Sequence, residues 1–401
     1  MSHDDGSSTA RTLAAQADTG KREPVGTAGR ILTFTALAWS LFQLWYASPL
    51  PFLLEVGVLN NAEARSIHLA FALFLAYTAF PALKRSPTDR VPVQDWILGL
   101  VAAGCGAYLF LFYRELSQRP GAPITQDVVI AVIGIVLLLE ATRRALGPPL
   151  AIVAIVLLCY TYFGPHMPSV IAHKGASLHA IVNHQWITTE GVYGVALGVS
   201  TDFVFLFVLF GALLEQAGAG LYFIKVAFSL LGHMRGGPAK AAVVASGMTG
   251  MISGSSIANV VTTGTFTIPL MKRVGFPGTK AGAIEVAAST NGQLTPPIMG
   301  AAAFLMVEYV GISYIEVIKH AFLPAIIGYI GLIYIVHLEA VKAGMKGLPR
   351  PTESPFVQRM LVFVSVIVGI IALSALVYYT VGWTKQAFGA AASWIAGAGL
   401  L

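Results

Sequence analysis

Apolar runs of about 20 residues recur along the whole chain, and they limit the folds open to it more than any other feature. Each run is long enough for a helix to cross the hydrocarbon core of a bilayer. The sequence of 401 residues is 56% hydrophobic and only 11% charged, whereas soluble domains carry about 25% charged residues. The sequence therefore predicts an all-α integral membrane protein that crosses the lipid bilayer several times.

The basic residues orient these predicted spans. Residues 1–29 are polar and lack an apolar core, which predicts a disordered cytoplasmic tail and not a signal peptide. Lys21, Arg22 and Arg30 precede the first apolar run, so the positive-inside rule places the N-terminus in the cytoplasm. Four spans follow within residues 30–146. The net charge of +6 is explained by these short basic loops and does not indicate a nucleic-acid partner.

Two clusters of hydroxyl, amide and glycine residues interrupt the apolar sequence between residues 239 and 297. Polar side chains are costly at membrane depth, and non-helical backbone is tolerated there only inside protein or beside a water-filled cavity. Two interrupted segments of this kind are typical of a secondary-transporter binding site. We predict that a solute and its driving ion bind at Ser253, Gly254, Ser255, Ser256, Asn259, Thr262, Thr263, Thr290, Asn291, Gly292, Gln293 and Thr295.

The same clusters predict where helices break. Pro296 and Pro297 remove two backbone donors, and the glycines let the backbone bend. Basic residues after the first cluster return the chain to the cytoplasmic side, so we predict a re-entrant hairpin over residues 239–273 with its tip near 253–259. A broken helix is predicted over residues 279–310. Carbonyl groups freed by such breaks can bind a sodium ion, and freed N–H groups can bind an anionic solute.

Glu285 has two interpretations. A carboxyl group inside a membrane span can be a proton-coupling group. An acid close to the start of a helix, with Lys280 nearby, can equally be an interfacial residue that interacts with the helix dipole. The sequence leaves both open.

Helix packing and hydrolysis are two alternative interpretations of the polar clusters, and both fit the sequence less well. Close packing with hydroxyls bonded to their own backbone accounts for isolated glycine and serine residues, but not for two clusters that also contain amides and adjacent prolines. An intramembrane serine hydrolase would need glycine two residues before Ser253, where the sequence has Met251. We therefore predict that the chain is not an enzyme.

Four histidines between the fifth and sixth predicted spans raise the question of zinc. Their spacings of 7, 6 and 5 do not pair ligands on one helix face, so we predict no metal site at His166, His173, His179 and His184.

Four segments carry a resemblance to a known family: Leu137–Arg144, Gly237–Ala242, Ser253–Thr267 and Ser289–Met299. They resemble the tripartite ATP-independent periplasmic (TRAP) transporters, in particular the fused small-plus-large permease subunit of the subgroup with TAXI-type solute-binding proteins. The resemblance implies an elevator-type symporter of the bacterial inner membrane. It would take up organic acids, of the C4-dicarboxylate or 2-oxo acid type, from a periplasmic binding protein, driven by a sodium or proton gradient without ATP or another cofactor.

The resemblance also implies a domain organisation. Residues 30–146 correspond to a four-span small-subunit region, residues 147–345 to the first inverted repeat of the large subunit, and residues 346–401 to a linker and the start of a second repeat. Only one hairpin and one broken helix are predicted, so a second repeat or a partner chain is expected to complete the site. The alternative expectation is a non-transporting membrane scaffold or an inactive truncated remnant.

Overall fold

The computed structural model describes residues 21–83 and 85–345, together with seven separate positions between 365 and 380. All regular secondary structure in these residues is helical, which confirms the all-α prediction. Three helical segments are long and apolar enough to cross a membrane: Pro148–His166, Val195–Gln216 and Tyr314–Lys342. Residues 1–20 of the predicted tail (1–29) and the predicted linker and second-repeat segment over 346–401 lie outside the continuously described ranges. The rest of the predicted tail is ordered, because Arg22 forms a buried ion pair and a helix begins at Thr27.

The chain divides into two units. The continuously described part of the smaller unit begins at Trp45 and ends at Val58, and it contains the last turn of helix α1 (Thr27–Ala47) and the short helix α2 (Leu50–Leu54). The larger unit comprises the other residues up to 347 and contains every predicted site residue.

An N-terminal bundle forms the first part of the larger unit. Helix α3 starts with a capping box between Asn60 and Glu63, in which each side chain accepts a backbone N–H of the other residue. Helices α3 and α4 pack along each other, and α7 packs against both. The helices of this bundle that follow α1 in the larger unit are α3 (Asn61–Ala79), α4 (Val93–Gly106), α5 (Tyr108–Leu111), α6 (Tyr113–Ser117) and α7 (Thr125–Leu146).

A buried cluster of charges joins the segment before α1 to helices α4 and α7. Asp95 binds Arg22 at 2.7 Å and Arg144 at 2.8 Å, and all three side chains are at most 4% exposed. Glu140 binds Arg144 and Arg143 at 2.8 and 2.7 Å. Removing one partner from such a group leaves a buried charge uncompensated, so the pairing specifies how these elements pack.

The segment between residues 164 and 204 packs onto the N-terminal bundle. Trp186 and Tyr193 are fully buried among its residues, and Trp186 occupies space left by Gly134, where a Cβ atom would lie 2.3 Å from the indole ring. His173 contacts the Tyr160 carbonyl at 3.0 Å. No group of three or more potential metal ligands occurs in the described part of the chain. Helix α8 (Pro148–Phe163) precedes this segment and α11 (Phe205–Gln216) follows it, and the α-helices within it are α9 (Leu178–Val182) and α10 (Val195–Val199).

The C-terminal part of the larger unit centres on α13. This helix packs along α12, α14 and α15 and also contacts α17, and most of the alanine and valine side chains in its first half are fully buried. Small residues allow such close approach between helices. The helices are α12 (Ala219–Leu231), α13 (Gly237–Ser253), α14 (Ser256–Arg273), α15 (Gly278–Gly292), α16 (Ala301–Val310) and α17 (Tyr314–Lys342).

Candidate functional site

A tight turn separates α13 from α14. Helix α13 ends at Ser253, and Gly254 follows with φ of 61°, a left-handed conformation that glycine adopts at little cost. Ser255 caps α14 by accepting a hydrogen bond at 3.3 Å from a backbone N–H in its first turn. The chain therefore turns within the predicted tip region, but Ser256 and Asn259 belong to the first turn of α14 and not to the tip itself.

A break of eight residues separates α15 from α16. Helix α15 ends at Gly292, helix α16 begins at Ala301, and residues 293–300 between them are not helical. The bond between Pro296 and Pro297 is cis. The position of the break agrees with the two missing proline donors, because a helix cannot continue through consecutive prolines without losing its hydrogen bonds.

The break segment is held by specific hydrogen bonds. The Gly300 N–H donates to the Gln293 carbonyl at 2.7 Å, which closes the segment into a loop. The Tyr314 hydroxyl lies 2.6 Å from the carbonyl oxygens of both Pro297 and Ile298. These contacts supply donors to carbonyl groups that the helix no longer satisfies.

The hairpin tip lies directly against the helix break. A Cβ atom at Gly254 would be 2.5 Å from the Met299 carbonyl oxygen, and one at Gly250 would be 2.8 Å from the Gly292 Cα. Two helix C-termini, of α13 and α15, therefore meet two helix N-termini, of α14 and α16. Carbonyl groups at the former attract cations, and N–H groups at the latter attract anions.

Asn259 ties the two hairpin helices to α15. Its amide nitrogen lies 2.8 Å from the Ser246 carbonyl oxygen, 3.0 Å from the Ser246 hydroxyl and 3.0 Å from the Ser289 hydroxyl. A carbonyl oxygen cannot donate, so the nitrogen must face it and the amide orientation is fixed. The Asn259 Oδ1 atom is then buried without a hydrogen-bond partner among the described residues, although buried acceptors are normally paired.

The Glu285 carboxyl group is fully buried between α15 and α14. Its oxygens contact the Thr263 hydroxyl closely, the Thr267 hydroxyl at 2.6 Å and the Ser289 hydroxyl at 3.4 Å. Lys280 binds Glu339 instead, and none of the ion pairs among the described residues includes Glu285. The carboxyl group neither reaches the surface nor pairs with Lys280, which argues against the interfacial interpretation of Glu285.

The two threonine hydroxyls that contact Glu285 also contact backbone carbonyl groups of their own helix. Each threonine hydroxyl has one hydrogen and faces two acceptors: Thr263 faces Glu285 and the Asn259 carbonyl at 2.7 Å, and Thr267 faces Glu285 and the Thr263 carbonyl at 3.0 Å. A charged carboxylate can accept from both hydroxyls. A protonated carboxyl group can instead donate to one hydroxyl, which then donates to its own helix. The site accommodates both forms.

Several predicted residues lie apart from these contacts. The hydroxyls of Thr262, Thr290 and Thr295 bond to backbone carbonyls four residues earlier, at 2.6, 2.7 and 2.9 Å, and Thr290 is exposed. This is the arrangement that the helix-packing interpretation predicts. The Asn291 amide donates to the Ala325 carbonyl of α17 at 3.2 Å.

Three members of the buried cluster were not predicted from the sequence, namely Ser246, Thr267 and Ser289. A signal for two of them was present. Asn259, Thr263 and Thr267 are spaced by four residues, as are Glu285 and Ser289, and residues at this spacing share one helix face. Ser246 stands alone among small apolar residues, so no spacing singled it out.

A known protein family matches the part of the chain that contains these site residues. The family model described as tripartite ATP-independent periplasmic transporter, DctM component, matches residues 133–398. The C4-dicarboxylate TRAP transporter large permease protein DctM of Pseudomonas aeruginosa is 35% identical over 144 residues, which are 36% of this chain and 32% of that protein. The protein of the same name from Vibrio cholerae is 28% identical over 186 residues, 46% of this chain and 38% of that protein.

A third similar protein, the uncharacterized protein y4mL of Sinorhizobium fredii, is 28% identical over 147 residues, which are 37% of this chain and 35% of that protein. The matched part of the chain thus spans about a third of the length of these curated relatives.

Proposed function

Because the chain belongs to the tripartite ATP-independent periplasmic transporter family as a DctM component, we propose that it is a permease subunit of a symporter that takes up organic acids of the C4-dicarboxylate or 2-oxo acid type. In this proposal a TAXI-type periplasmic binding protein delivers the acid to the bacterial inner membrane, where the N-terminus faces the cytoplasm. A sodium or proton gradient drives uptake by an elevator movement. These finer features are supported by the resemblance of the four sequence segments.

The observation that carries the proposal is the contact between the hairpin tip at Gly254 and the helix break at Met299. Helix α16 begins without a side-chain cap, so N–H groups in its first turn are available to a carboxylate. The ends of α13 and α15 bring carbonyl groups to the same place. One location therefore offers partners to an organic anion and to a cation.

Two buried groups support the two coupling ions. The unpartnered Asn259 Oδ1, beside the hydroxyl-rich tip, favours a sodium ion, which binds oxygen atoms. The buried Glu285 favours a proton, because an ionisable group inside a membrane protein is typically functional. A second hairpin and broken helix, from further sequence or a partner chain, completes the site in this proposal.

Uptake measurements test the proposal. Cells express the chain together with its neighbouring reading frames, and uptake of labelled dicarboxylates and 2-oxo acids is measured with and without the binding protein, under a sodium gradient or a pH gradient. We expect gradient-dependent uptake that requires the binding protein. If no organic acid is taken up although the proteins assemble in the membrane, the scaffold alternative is favoured.

A glycine pair supplies the matched variants for this assay. Gly254→Ala would force alanine into φ of 61° and place its Cβ 2.5 Å from the Met299 oxygen, whereas Gly331→Ala in α17 meets no atom within 4 Å. We expect Gly254→Ala to abolish most uptake and Gly331→Ala to retain it. Equal uptake by the two variants would remove the tip from the transport site.

A further inference from the structure

Several helix ends meet at the end of α13 that is opposite the hairpin tip. A Cβ atom at Gly236, just before α13, would lie 2.3 Å from Ala340 near the end of α17. Lys280 in the first turn of α15 binds Glu339 of α17. These contacts bring the start of α13, the start of α15 and the end of α17 to one end of the C-terminal helices.

The end of α14 completes this group. The Lys272 side chain lies 3.8 Å from the Cβ position of Gly278, at the start of α15, and Arg273 is the last residue of α14. We call Arg235, Lys272 and Arg273 the basic rim. All three are exposed, and their side chains make no ion pair or hydrogen bond with another described residue.

The charge at this end is strongly unbalanced. The stretches 232–240, 271–282 and 336–345 contain a single acid, Glu339, and Lys280 binds it. The basic rim therefore has no acidic side chain to neutralise it within these described stretches. An unbalanced group of arginine and lysine residues attracts anions, and arginine in particular suits a phosphate group.

Exposed apolar side chains border the basic rim. Leu230 and Met234 precede Arg235 and are 63% and 41% exposed, and Phe266, on the same face of α14 as Arg273, is 44% exposed. Cations thus stand at the edge of an apolar surface. This arrangement matches a phospholipid in a bilayer, which has a charged headgroup above its acyl chains.

We propose that the basic rim binds the headgroups of anionic phospholipids, with their acyl chains along the exposed apolar side chains beside each cation, Leu230 near Arg235 and Phe266 on the helix face of Arg273. A free phosphate ion fits this surface less well, because it would leave the adjacent apolar side chains uncovered. The binding anchors the loop between α14 and α15 in one leaflet. It does not depend on which solute the permease carries.

The test counts lipids on the purified full chain by native mass spectrometry. Phosphatidylglycerol and zwitterionic phosphatidylcholine are titrated in parallel, at low and high salt. Each basic residue near an anionic surface strengthens binding about fivefold, so the Lys272→Gln/Arg273→Gln variant should bind phosphatidylglycerol roughly 25-fold more weakly. High salt should weaken binding to the unaltered chain.

Two variants control for charge and for folding. Arg114→Gln/Lys174→Gln also removes one arginine and one lysine from exposed positions without described partners, and it should bind phosphatidylglycerol normally. Lys272→Arg/Arg273→Lys keeps both charges and should also bind normally. Circular dichroism checks that all variants retain their helices.

Three results would overturn the proposal. The first is equal loss of phosphatidylglycerol in the two charge-removing variants, which would indicate a general charge effect. The second is equal binding of phosphatidylcholine and phosphatidylglycerol by the unaltered chain. The third is displacement of the lipid by inorganic phosphate at similar concentration, which would assign the rim to a free anion. The last two use the unaltered chain and stand even if a variant fails to fold.

Discussion

Replacing Gly250 by alanine tests whether the close packing of α13 on α15 holds the hairpin tip against the helix break. A Cβ atom at this position would lie 2.8 Å from the Gly292 Cα and 3.3 Å from the Asn259 amide nitrogen. Non-bonded carbon atoms prefer a separation of about 3.5–4.0 Å. The two helices would therefore have to move apart by roughly 1 Å, and the Asn259 amide would have to shift as well.

The magnitude follows from a matched pair of variants. Overpacking of this kind costs about 1–3 kcal/mol, while replacing a glycine inside a helix by alanine gains about 0.8–1.0 kcal/mol. Gly282→Ala in α15 gains the same free energy of helix propensity, but its Cβ atom would meet no other atom within 4 Å. The gain in helix propensity is the same in both variants and cancels in their comparison. Gly250→Ala should therefore be less stable than Gly282→Ala by the cost of overpacking, about 1–3 kcal/mol.

The assay compares both variants with the unaltered chain in mixed micelles. Unfolding by increasing dodecyl sulfate is followed by far-ultraviolet circular dichroism, which reports helix content. Gly282→Ala should unfold at the same or higher detergent fraction than the unaltered chain, and Gly250→Ala at a lower fraction than Gly282→Ala. Equal midpoints for the two variants would show that α13 and α15 are not in glycine-to-glycine contact, and the reasoning for a tip held against the break would fail.

Three further predictions use the same unfolding assay. Glu285→Gln should change the free energy of unfolding by less than about 1 kcal/mol, because the glutamine amide can donate to a threonine hydroxyl. Glu285→Ala should lower the free energy of unfolding by about 2 kcal/mol or more, because it leaves a cavity. Equal losses in the two variants would contradict the hydroxyl contacts. Asp95→Ala leaves buried arginines without their shared carboxylate and should cost about 3–5 kcal/mol, against at most about 0.5 kcal/mol for the exposed control Asp89→Ala. Tyr314→Phe should cost about 0.5–1.5 kcal/mol by removing the donor to the break segment, and Tyr309→Phe, at a 74% exposed residue, should cost nothing; a neutral Tyr314→Phe would mean that water replaces the hydroxyl.

The positions of the two helix interruptions could be predicted because they depend on local chemistry. A left-handed turn needs Gly254 or a similar residue, and consecutive prolines at 296 and 297 cannot continue a helix. These constraints act within a few residues, so the sequence expresses them directly. The re-entrant path of the hairpin depends on the position of the membrane and stays a prediction.

The partners of the polar side chains could not be predicted in the same way. The four-residue spacing of Asn259, Thr263 and Thr267 places them on one face of α14, but the face of α15 that meets them depends on how the two helices rotate and slide in packing. Tertiary packing thus decided that Glu285 faces these hydroxyls. One of the two sequence-based interpretations took Lys280 as the neighbour of Glu285 only because the two residues are close along the chain.

The helix-packing and transporter-site interpretations each account for different residues of the polar clusters. Helix packing with back-bonded hydroxyls accounts for Thr262 and Thr290, whose hydroxyls bond to their own helices. It does not account for a fully buried carboxyl group that contacts hydroxyls and has no basic partner among the residues the structure describes, since burying a charge is costly. Nor does it account for the buried Asn259 oxygen, which lacks a partner among the described residues.

These two groups lie in one connected network, because Ser289 contacts both Glu285 and the Asn259 amide. The network joins both hairpin helices to α15, just beneath the point where the tip meets the break. A proton bound at Glu285, or a cation bound at Asn259 Oδ1, would therefore alter contacts between the same three helices. If the proposed function is right, an ion bound in this network would be coupled by direct contact to the geometry of the proposed solute site, which is the physical requirement for one gradient to drive the movement of another solute.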